Sequence, residues 1–133
     1  MATIASTLSF LPSPALLAFV QRQVAQQQPF AGKERRDLPR LLLAMPVTVQ
    51  GVDEQIAPVG DPHPMVVRDY SSRGLGLVHE HPFDYSRIVV ELTYPEEGKI
   101  LAAEVRWRKA LGPFYHLGCE IVARLDRFPV HDE

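Results

Sequence analysis

The sequence predicts an all-β domain, a small six-stranded antiparallel barrel with one helix added at its N-terminus. Three observations carry this expectation. From residue 41 onward the chain divides into six short apolar, β-branched runs. Gly, Pro and Asp signals separate those runs. Finally, Ala103, Val105 and Trp107 alternate with Glu104, Arg106 and Arg108, which places the apolar set on one face of a strand. One-sided strands belong to an antiparallel sheet with one buried face, and closure into a barrel removes its exposed edges.

Residues 1–32 differ from the rest, being rich in Ala, Leu and Gln and free of acidic side chains. Ser13-Pro14 is a helix start: a hydroxyl N-cap, then proline at the first helical position, where no amide donor is needed. Leu16, Leu17, Val20 and Val24 recur at helical spacing, and Pro29 and Gly32 end the segment. Such a helix packs on the domain's own core or serves self-association or partner docking. It is also expected to cover an open end of the barrel.

The strand runs come in order. Pro46–Gln50 alternates, and Val52–Pro64 is a long loop rich in Pro, Gly and Asp. Met65–Arg68 and Gly74–Val78 flank a turn, and Ile88–Tyr94 is stopped by Pro95. Glu97-Gly98 turns the chain into Ile100–Lys109, and Gly112-Pro113 turns it into Phe114–Val122. The expected organisation is therefore a helical extension (1–32), a barrel domain (33–125) and a tail (126–133), with Arg127–Glu133 expected to fray.

Composition narrows the function. The chain has 133 residues, enough for one domain with a real core. A formal net charge of -2 argues against a general nucleic-acid binder, so neither DNA nor RNA is expected as a partner. Cys119 is the only cysteine; it sits in an apolar run and reads as a small buried filler, and a reducing compartment fits. The first twelve residues hold no Lys or Arg, and Leu16–Val20 is too short to span a bilayer. A cytoplasmic protein without membrane insertion is expected.

Two short motifs carry chemistry. Arg36-Asp37-Leu38-Pro39-Arg40 gives R-x-x-x-R on an irregular segment that Pro39 keeps from being helical. Asp69-Tyr70-Ser71-Ser72-Arg73-Gly74 gives D-x-S-x-x-G at the turn between two strands. A guanidinium fork matches phosphate oxygens, and also the O6 and N7 acceptors of guanine. A carboxylate accepts from the N1 and N2 donors of guanine, and a hydroxyl can donate or accept. A bulged turn would expose Asp69 and Ser71, with Gly74 allowing tight backbone or close ligand approach. The alternative is a local turn in which both side chains bond only to backbone.

Both motifs, in this order and in an all-β domain, resemble the PilZ family of bacterial cyclic-di-GMP receptors. Glu104-Val105-Arg106-Trp107-Arg108, Tyr115 and Leu117-Gly118-Cys119-Glu120-Ile121 resemble that family's late strand pair. The resemblance covers about residues 33–125. It implies that Arg36 and Arg40 clamp phosphates and guanine faces, that Asp69 and Ser71 hold a guanine edge, and that Gly74 is the turn glycine. It also implies that Arg35 accompanies an intercalated ligand dimer and that Trp107 borders the site, unless Trp107 is a core residue beside Val105. No cofactor is implied.

His79-Glu80-His81 offers alternating metal-ligand atoms, but no third or fourth ligand is identifiable near it. No G-x-S-x-G elbow supports a hydrolase, and no enzyme is expected. The expected function is a cyclic-di-GMP-binding sensor whose loop and helix rearrange to regulate an unidentified downstream protein. The alternative is an interaction adaptor of the same family that does not bind nucleotide.

Overall fold

The computed structural model describes residues 11–27, 41–93 and 98–129. One helix, α1 (Pro14–Gln27), precedes six strands: β1 (Leu41–Gly51), β2 (His63–Tyr70), β3 (Gly74–His79), β4 (Arg87–Leu92), β5 (Lys99–Leu111) and β6 (Phe114–Leu125). All neighbours are antiparallel, and the order β1-β2-β3-β6-β5-β4 closes when β4 pairs with β1 from Thr48↔Glu91 to Gly51↔Ile88. The expected all-β six-stranded barrel with an N-terminal helix is the fold observed. β1, β5 and β6 run longer than their apolar cores suggested, because paired strands extend past the residues that bury side chains.

The interior is filled by one side chain in two. Val47, Val49, Met65, Val67, Leu75, Leu77, Val90, Leu101 and Leu117 belong to one buried cluster, joined by Cys119. The outward-facing neighbours form two further clusters. Val66 and Val78 pack beneath Leu16, Val20 and Val24 of α1. Val52, Val89, Ile100 and Ala102 pack with Ile56, Leu125 and Phe128.

The helix begins where Ser13 and Pro14 said it would. Ser13 Oγ accepts from the Leu16 amide at 3.1 Å. Its position corrects one expectation, for α1 lies against the outer wall and does not plug an open end. Val66 and Val78 face outward because their neighbours Met65, Val67 and Leu77 face inward. Those outward apolar residues need a cover, and α1 supplies it. Phe19 also meets Phe114 edge-on, with ring centroids 5.0 Å apart, which ties the helix to the β5–β6 hairpin. Of the expected tail, Phe128 packs against the third cluster, and residues 130–133 lie outside the described residues.

Two of the barrel's bulges, on β2 and β5, shape the wall. On β2, Val67 pairs with Leu77 but Asp69 pairs with Gly76, so Arg68 is the extra residue. On β5, Val105 pairs with Cys119 but Trp107 pairs with Gly118, so Arg106 is extra. Each bulge turns the next stretch of its strand to the other face. The alternation expected on β5 is therefore broken. Val105 faces inward opposite Cys119, whereas Trp107 faces outward opposite Gly118.

Candidate functional site

Directly opposed residues of an antiparallel pair present side chains on the same face. Asp69 opposes Gly76, Gly76 opposes Gly118, and Gly118 opposes Trp107. These four residues form one row across β2, β3, β6 and β5 on the outer wall. Its two central members have no side chain, so its two ends fold inward over them. A Cβ on Gly76 would lie 2.6 Å from Asp69 Oδ2, and one on Gly118 would collide with the Trp107 ring. The result is a floor of bare backbone with a carboxylate and an indole laid across it.

An open cleft of about 430 Å³ lies over this floor. Its described lining includes four cations, Arg68, Arg73, Arg106 and Lys109, against two carboxylates, Asp69 and Glu120. Arg106 is tied down by Glu120, through Nε at 2.7 Å, and by Glu104 at 3.2 Å. Arg68 Nη1 lies 3.6 Å from Asp69 Oδ2; the bulge places these sequence neighbours on one side. Lys109 Nζ sits 5.0 Å from the centroid of the Trp107 ring, a cation–π geometry.

The structure brings Asp69, Ser71, Gly74 and Trp107 together around this cleft. Arg35, Arg36 and Arg40 lie outside the described residues. Asp69 departs from expectation: it is 5% exposed, because its carboxylate lies down on Gly76 and does not stand off the turn. Ser71 adopts the local-turn alternative in part. Its Oγ accepts from the amides of Arg73 at 3.3 Å and Gly74 at 3.2 Å, which leaves its hydroxyl hydrogen to donate elsewhere. Gly74 has no left-handed backbone; its role is proximity, since a Cβ there would come within 3.1 Å of the Cys119 carbonyl oxygen. Trp107 is 44% exposed and is not a core residue.

The model of the PilZ domain matches residues 34–127, most of the chain. The chain belongs to the PilZ family. Among solved structures, this PilZ domain resembles the Bacillus subtilis inhibitor of motility MotI/DgrA at 16% identity and a TM-score of 0.51, over 70% of this chain and 44% of that one. It is similar also to MrkH in the K. pneumonia MrkH–c-di-GMP complex, at 17% identity and a TM-score of 0.49, over 67% of this chain and 44% of that one. The chain thus spans less than half the length of either structure, and at such identities the likeness is one of fold. No curated protein sequence matches it.

Several lining residues of this PilZ domain carried no motif signal. Gly76 looks like an ordinary strand residue, and Gly118, although within the run that resembles the family's late strand, shows its role only when the pairing register places the two side by side. Arg68, Lys109 and His116 also carried none. His116 Nε2 and Arg68 Nε are both buried without a hydrogen-bond partner. Burial, reinforced by the charges of Arg68 and Lys109, pushes the His116 pKa down to about 4, so the imidazole is neutral at pH 7. Burial likewise pushes the Cys119 thiol up to about 12; Arg108 acts against that shift and Asp69 adds to it.

The His79–His81 pair resolves into local structure. His79 Nδ1 lies 2.8 Å from the His81 carbonyl oxygen, and the His79 ring packs edge-on against His63 and Phe83. Among the described residues no three His, Cys, Asp or Glu side chains converge as a metal site would need, and no helix is long and apolar enough to cross a membrane.

Proposed function

We propose that this PilZ domain is a non-enzymatic cytoplasmic receptor for cyclic-di-GMP. The observation that supports it most is the Asp69–Gly76–Gly118–Trp107 row. A flat floor with a carboxylate and an indole laid across it suits a purine: the carboxylate accepts from N1 and N2 of guanine while the ring stacks on the base. The excess of cations around the cleft suits the two phosphates. Arg36 and Arg40 would clamp those phosphates from the segment that joins α1 to β1, Ser71 would donate to the ligand, and Arg35 would favour an intercalated ligand dimer.

That arrangement suggests the output. The arginine segment is continuous in sequence with α1, and α1 rests on the same outer wall as the cleft, over Val66 and Val78. A ligand that binds the segment and the wall differently in two helix positions shifts the population between them. A downstream protein would read the change, and the freed helix face would serve it or a second copy of the chain. The barrel domain with its helical extension is the unit that does this.

Titration calorimetry of the whole chain with cyclic-di-GMP in low salt tests the reading. Micromolar binding is expected, with Arg40→Ala weakening it by roughly 1.5–3 kcal/mol and Ser71→Ala by less. Absence of heat from the wild-type chain would overturn the receptor. A second reading, an adaptor of the same family that binds no nucleotide, draws on one observation, the near-complete burial of Asp69 beside Arg68. The same titration separates the two.

A further inference from the structure

We propose that Arg68, Lys109 and His116 form a second, anion-binding end of the cleft, one that takes a phosphate oxygen through His116 Nε2. The proposal rests on the cyclic-di-GMP reading for the identity of the ligand, and on separate geometry for the site.

His116 opposes Lys109 on β5 and Val78 on β3. It stands two residues from Gly118 on β6, so its row neighbours the Asp69–Trp107 row on the same outer wall. The extra residue of the β2 bulge, Arg68, reaches the same place from the other side. The Trp107 and His116 rings meet edge-on, with centroids 4.8 Å apart, and Arg68 links this basic end to Asp69 at 3.6 Å. Two buried polar atoms without partners occur among the described residues, Arg68 Nε and His116 Nε2, and both belong to this cluster. Orphaned buried polar atoms are costly and concentrate where a ligand supplies the partner. An anionic oxygen suits a guanidinium, an ammonium and an imidazole Nε2–H together.

The charged groups facing His116 set the sign of its response. β2 brings Arg68 and Asp69, β5 brings Lys109 and Arg106, the β2–β3 turn brings Arg73, and β6 itself brings Glu120. The helix on this wall carries one charged residue, Arg22, which does not line the cleft. Cations prevail, which keeps the imidazole neutral. A bound phosphate reverses the local field, so the complex takes up a proton and binding tightens as pH falls.

The test is cyclic-di-GMP affinity at pH 7.5 and pH 5.5 for the wild type, His116→Gln, Lys109→Ala and Asp69→Asn, together with the NMR titration of His116 against pyrophosphate. Expected are several-fold tighter wild-type binding at pH 5.5, no such gain in His116→Gln, about tenfold weaker binding in Lys109→Ala at both pH values, and an upward shift of the His116 titration with pyrophosphate. Asp69→Asn, at the acid end, is expected to weaken binding yet keep the wild-type gain at pH 5.5; loss of that gain would overturn the assignment to His116. If cyclic-di-GMP binds with the same pH profile in wild type and His116→Gln, the second end is overturned while the receptor stands. If the dinucleotide does not bind but pyrophosphate shifts His116 and Lys109→Ala abolishes that shift, the anion site stands and the receptor falls. Silence in both assays removes both.

Discussion

A Cβ added at Gly118 would occupy the space of the Trp107 ring, and one at Gly76 that of the Asp69 carboxylate. These two glycines therefore set where two of the site's side chains lie. Gly118→Ala is expected to swing the indole outward. Because Trp107 is already 44% exposed, the ring can give way at a stability cost of no more than about 1 kcal/mol. Trp107 is the only tryptophan, so its fluorescence reports the change directly. A red-shifted emission with weaker cyclic-di-GMP binding is expected; unchanged emission with a large fall in melting temperature would mean that the strands had parted instead. Asp69, Ser71 and Gly74 were legible as a motif, since their types and spacing stand in the sequence. Gly76 and Gly118 were not, because their importance arises only when register sets them opposite each other. Asp69 was expected to be exposed for the same reason: a turn motif says nothing about the bare backbone on the next strand.

At the scale of elements, the helix shows what periodicity reveals and what it withholds. Ser13-Pro14 and the spacing of Leu16, Val20 and Val24 identified the helix and its buried face. They did not identify the wall it meets, because that depends on Val66 and Val78 facing outward from strands whose alternate residues fill the barrel. Both bulges were equally hidden, since one extra residue inverts a strand's facing without altering its composition, and this is why Trp107 could be paired with Val105. Leu16 is fully buried between helix and wall. Leu16→Ala is expected to cost about 2–5 kcal/mol, and Ser13→Ala about 1 kcal/mol through loss of the cap. Chemical denaturation measures both. A Leu16→Ala loss well under that range would mean that the helix leaves the wall readily and adds little to the barrel's stability.

For the whole molecule, closure was legible because the six strand-like runs in the sequence are bounded by turn residues, so that an open sheet would leave edges unpaired. The strand order was not, since nothing local tells β3 to pair with β6. Closure also decides how the fold responds to acid. Burial in or against the wall lowers the pKa of His63, His79 and His116, the last to about 4. The native state thus holds these imidazoles neutral while the unfolded chain protonates them near 6.5. Protons then bind preferentially to the unfolded chain, and stability must fall as pH drops. The contribution is complete above pH 6.5 and is lost between there and about pH 4, the folded value of His116. The melting temperature should therefore be level from pH 8 to 7 and decline from pH 6.5 downward. His116→Gln cannot take up the proton in either state, so its decline should be shallower, by about one proton per molecule near pH 5. A parallel decline in wild type and His116→Gln would assign the acid response to the carboxylates and would show that the native wall leaves His116 open to protonation.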